Sequence, residues 1–103
     1  MEKLKGSQKK YLREIAHGLK AVVIIGHKGI TEPLIQSINE SLSAHELIKI
    51  KFIDFKEKPQ KIAMLETIET MSQCEMIGLT GHVAILFKQN KNPEKRKIKL
   101  PEK

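Results

Sequence analysis

The sequence predicts one α/β domain, a mixed four-stranded sheet packed with helices in the order αβαβαββ, and three observations lead there. Apolar residues recur at helical spacing in three stretches: Leu12, Ile15, Ala16 and Leu19; Leu34, Ile35, Ile38 and Leu42; and Ile62, Met64, Leu65, Ile68 and Met71. Four short runs with strand character, 21–25, 46–53, 75–79 and 82–88, lie between and after them. A chain of 103 residues is large enough to bury one core and too small for two. Each strand-helix-strand unit requires a right-handed crossover between parallel neighbours, and the last two strands, joined across Thr80-Gly81, add an antiparallel hairpin. Residues 1–90 are expected to form the domain and 91–103 a basic tail.

Each element has a local reason. Ser7 is placed to cap the first helix, and His17-Gly18 to end it. Lys9, Arg13 and Lys20 fall opposite its apolar stripe, with Lys10 and His17 beside them, so the helix reads as apolar behind and basic in front. The first strand, Ala21-Val22-Val23-Ile24-Ile25, is apolar at every position, which predicts a central strand covered on both faces. Thr31 can cap the second helix, Glu32 suits its positive end, and Pro33 is tolerated where its missing donor costs nothing. The second strand alternates Ile48, Ile50 and Phe52 with Lys49 and Lys51, which gives it one wetter, basic face. Pro59 opens the third helix, which runs to about Gln73.

Charge points to a polyanion. Residues 1–30, 31–87 and 88–103 carry +5, −3 and +5, which together make the +7 of the chain. A pI near 9.6 with the surplus at the two ends is the footprint of a nucleic-acid binder, the alternative being a merely solubilising surface. One Tyr, three Phe and no Trp leave too few rings for a stacking platform. The single Cys74 excludes an internal disulfide and a cysteine zinc cluster, so a reducing compartment, the cytoplasm, is expected. The polar N-terminus does not read as a signal peptide, and the longest apolar run, five residues, is far short of the ~20 of a membrane span. The four histidines never pair at helical ligand spacing, so neither a metal nor another cofactor is expected.

The feature that carries chemistry is Gly26-His27-Lys28-Gly29. It follows a strand and opens a helix, where two glycines let backbone amides approach an anion, the helix N-terminus favours negative charge, and Lys28 adds a cation. A second Gly-x-x-Gly, Gly78 to Gly81, sits in strand and turn without a cation and reads as bulge and turn chemistry. A tight turn that needs glycine and nothing more is the plain alternative for the first. Two further readings stay open: a small phosphate-handling enzyme with His27 as its base, and a module for an acidic protein partner.

At this point the residues resemble a known family. LKAVVIIGHKGITEPLIQSINESLSAHELIKIKF (19–52), preceded by QKKYLREIAHGLK and followed at 94–101 by EKRKIKLP, is similar to the bacterial YhbY proteins, the free-standing form of the CRM (chloroplast RNA splicing and ribosome maturation) domain. The resemblance implies a fold similar to the C-terminal domain of bacterial translation initiation factor 3. It implies RNA as partner, with the large-subunit rRNA precursor and the 50S precursor particle as its setting; a phosphate-cradling loop without a catalytic set itself reads as binding, not catalysis. It maps the family's loop onto Gly26, His27, Lys28 and Gly29, and by the same logic the neighbouring bases Lys9, Lys10 and Arg13 extend the RNA surface. A monomer is expected. The tail interleaves Ile98 and Leu100 with bases, which suits an extended docked segment as well as an untethered terminus.

Overall fold

The structure, a computed structural model, describes residues 3–102. Its elements run α1 (Gly6–Ala16), β1 (Ala21–Ile25), α2 (Glu32–His45), β2 (Leu47–Phe52), α3 (Lys58–Ser72), β3 (Glu75–Thr80) and β4 (Val83–Phe87), followed by a short 3-10 turn at Pro93–Lys95. The expected αβαβαββ order and mixed four-stranded sheet are present.

Strand order is β1-β2-β4-β3. β1 and β2 are parallel neighbours, as the crossover through α2 requires. The crossover through α3 does not give a neighbour: β3 and β2 are both antiparallel to β4, which lies between them. The all-apolar Val-Ala-Ile-Leu-Phe of β4 takes the interior position, while β3, with Glu75 and Gly78, takes the edge. β1 is therefore at the other edge, not central as its composition predicts. Only alternate residues of it are covered: Val23 and Ile25 are buried, whereas Val22 and Ile24 are 52% and 51% exposed.

The inner face of the sheet, formed by Val23, Ile25, Ile48, Ile50, Phe52, Ala84 and Leu86, is sealed by Ile35, Ile38 and Leu42 of α2 and Leu65 and Ile68 of α3. Fully burying aliphatic side chains of this size is worth about 1.5–3 kcal/mol each, so this layer holds the domain together. The stripe of α3 is rotated from the expected one. Lys61, Leu65, Ile68 and Ser72 point inward, and Met71 is exposed. On the outer face α1 sets Leu12 and Ala16 against Leu47, Ile77 and Phe87, and contacts β2 and β3. Its first residue is Gly6 and its cap position is Lys5, whose N–H donates to Gln8 Oε1 at 2.9 Å; Ser7 lies inside the helix. Ile98 and Leu100 of the tail close the open side of this outer cluster.

Candidate nucleic-acid interface

Gly26 to Gly29 form a turn closed by the Gly29 N–H donating to Gly26 O at 3.0 Å. Gly29 holds φ at +69°, a conformation that glycine adopts without strain. The amides of His27 and Lys28 donate to no backbone acceptor among the described residues, and both side chains are exposed. The chain then enters α2 through the expected cap: Thr31 Oγ1 accepts from the Leu34 N–H at 3.2 Å, with Pro33 in the first turn. The loop thus lies beside the positive end of a 14-residue helix. A groove of about 440 Å³ opens beside it, bounded by the loop, Val22 and Ile24 of β1, and Thr31 and Ser37.

Two acids temper this positive corner. His27 Nδ1 stands 3.9 Å from Asp54 Oδ2, both groups solvent-accessible, and Glu32 occupies the first turn of α2. Lys28 makes no ion pair among the described residues.

The bases of α1 do not share that groove. Lys9 Nζ pairs with Glu75 Oε2 at 3.2 Å. Arg13 lays its chain across Gly78, where a Cβ would sit 3.2 Å from its Cδ, and donates to Ile77 O at 3.3 Å. Lys10 is exposed. Arg13 and His17 instead line a second groove, of about 400 Å³, with Lys49, Gly78, Thr80, Val83 and Ile85. Gly78 itself follows a register irregularity in β3 and Gly81 has φ of +59°, the bulge and turn expected of the second Gly-x-x-Gly.

Two buried charges besides Glu75 escape a reading of the sequence. Glu46, 1% exposed, is the C-cap of α2 with φ of +63°, and its carboxylate accepts from the N–H groups of Asn90 (2.6 Å), Lys97 (2.6 Å) and Ile98 (3.0 Å). It clasps the tail. Lys61, 3% exposed, donates from Nζ to Gly81 O at 2.8 Å and lies 2.7 Å from His82 Nδ1. An ammonium has only donors, so the contact is satisfied with Lys61 donating and His82 Nδ1 accepting. Cys74 is buried, and burial, seconded by the charge of Glu69, pushes its thiol up to about 12, so it is no nucleophile at neutral pH. Among the described residues no three of His, Cys, Asp or Glu gather into a metal-binding set, and no helix is long and apolar enough to cross a membrane.

Residues 4–88 match the model of the CRS1/YhbY (CRM) domain. The chain belongs to this CRM domain family. An RNA-binding protein of Haemophilus influenzae is 32% identical over 103 residues, covering 100% of both chains. The Probable RNA-binding protein YqeI of Bacillus subtilis is 33% identical across 95% of this chain and 99% of its own. The solution structure of a Staphylococcus aureus protein, 30% identical, superposes with a TM-score of 0.81 over 96% of this chain and all of that one. The α/β CRM architecture is thus shared with a solved structure, and the relatives' names agree with RNA as the class of partner.

Proposed function

We propose that this CRM protein is a non-catalytic, monomeric, cytoplasmic RNA-binding protein that holds ribosomal RNA during large-subunit assembly, with the Gly26–Gly29 loop gripping backbone phosphates. One observation carries the reading: the His27 and Lys28 amides, at the mouth of α2, make no backbone hydrogen bond, and the Lys28 ammonium beside them makes no ion pair, among the described residues. Amides, helix end and cation together favour an anion. Lys10 extends the electropositive surface, and the guanidinium of Arg13 and ammonium of Lys9 keep donors beyond those held by Ile77 and Glu75. With so few aromatic rings, affinity comes from phosphate neutralisation and RNA shape more than from base reading. The large-subunit rRNA precursor, in the 50S precursor particle, is the partner that the family resemblance suggests.

Binding to single-stranded RNA that neutralises about six phosphates gives a slope of log K against log salt near −4. A flat response overturns the reading. Lys28→Ala is expected to weaken RNA binding while leaving the unfolding midpoint in place, and equal affinity in the folded variant refutes the loop assignment. Co-sedimentation with ribosomal particles that survives nuclease treatment points instead to a protein partner.

A further inference from the structure

We propose that the uncovered half of the outer sheet face is a second stretch of RNA track, leading a single strand from the Gly26–Gly29 loop over β1, β2 and β4 to the His17 end of α1. This rests on the RNA-binding reading above. Because α1 packs over Leu47, Ile77 and Phe87, with Ile85 partly buried at its margin, the outward residues nearer the loop, Val22, Ile24 and Lys51, stay open. Pairing places Ile24 opposite Lys51 and Lys51 opposite Val83; in the adjacent row Ala21 stands opposite Lys49 and Lys49 opposite Ile85. Each lysine therefore rises between aliphatic neighbours on both sides.

That alternation fits a nucleic-acid strand, which offers phosphates to ammonium groups and sugar and base faces to an apolar floor. Charge supports the choice. Lys49 and Lys51 are joined at the far end by Arg13 and His17, whereas Glu75, an acid on this face, lies under α1 against Lys9 and the Leu4 N–H. Asp54 stands at the loop end, beside His27. Continuity supports it too, since the groove beside the loop already reaches Val22 and Ile24, and the second groove starts at Lys49, one strand away. Lys49 Nζ donates to Leu19 O at 3.1 Å and ties the α1–β1 connection to the sheet, while Lys51 is exposed.

The experiment titrates an oligouridylate about twelve nucleotides long into the whole protein. Lys51→Gln, at an exposed position, is expected to weaken binding about fivefold near 0.1 M salt and to lower the salt slope by about 0.7, the loss of one phosphate contact. In the unaltered protein the amide resonances of Val22, Ile24 and Lys51 are expected to shift along with those of the loop. Unchanged affinity and slope in Lys51→Gln, with Lys28→Gln weakened and the β1 amides unmoved, overturns the track and leaves the loop standing. An equal loss in Lys91→Gln makes the effect one of net charge and also overturns it. Tighter binding of polyglutamate than of the oligonucleotide, lost in Lys51→Gln, assigns the face to a protein and overturns it. Failure of the unaltered protein to bind any RNA refutes the parent reading instead.

Discussion

A Cβ added at Gly26 meets no atom within 4 Å, whereas at Gly29 it lies 3.4 Å from Phe55 Cζ on a backbone with φ of +69°. The two glycines look alike in the sequence, and the positive φ of Gly29 together with the path of Phe55 and Met64 beside it separates them. Gly29→Asp is therefore expected to destabilise the fold by about 1 kcal/mol or more, measured by denaturant unfolding. Gly26→Asp is expected to leave the midpoint unchanged and to weaken RNA binding by placing a carboxylate among the amides, which makes it the better probe. Cys74 gives a pH signature. Its folded thiol titrates at about 12 against 9.0 when free, so between these values the unfolded chain sheds a proton that the folded one keeps. Stability from this source is complete below about pH 9 and lost as pH rises toward 12; Cys74→Ala is expected to flatten that alkaline limb. Below pH 9 the folded thiol is expected to resist a disulfide reagent that reacts with it readily in denaturant.

Among elements, the junction of α2 and β2 and the C-terminal tail depend on each other through Glu46. Its buried carboxylate satisfies the backbone N–H of Asn90, just before the tail, and those of Lys97 and Ile98 within it, and its own carbonyl accepts from the Lys88 N–H at 2.9 Å. Glu46→Ala leaves those donors without a partner and is expected to cost about 2–4 kcal/mol in chemical denaturation. It is also expected to release the Lys-rich tail to rapid tryptic cleavage, with slower cleavage there expected of the unaltered protein; equal cleavage of both refutes the clasp. Nothing near residue 46 in the sequence announces this, because the acceptor and the Ile98 amide are 52 residues apart. The caps tell the opposite story. Thr31 bonds a donor three residues away, and it is legible for that reason. The stripe of α3 stands between the two cases: its apolar periodicity is visible, but Lys61 takes an inward place because Gly81 and His82 at the β3–β4 turn supply its acceptors.

For the whole molecule, the +7 charge acts on folding and binding with opposite signs. Screening relieves self-repulsion in the compact state but removes the counterion-release advantage of RNA. Raising salt from about 0.05 to 0.3 M is therefore expected to lift the thermal midpoint modestly while RNA affinity falls steeply; affinity that follows stability upward refutes phosphate-dominated binding. The type and order of the elements, the Thr31 cap, the glycine loop and the basic ends were determined by the sequence by itself. Each depends on propensity, periodicity or charge within a dozen or so residues, and those are written locally. Only the tertiary structure decided that β4 inserts between β2 and β3, that β1 becomes an edge with Val22 and Ile24 uncovered, and that Lys9 and Arg13 are turned onto β3. An apolar strand reads the same whether one of its faces is covered or both, and α1 reaches the outer side of β2 and β3 without covering β1. The length of one helix, and where the chain docks it, left that face open.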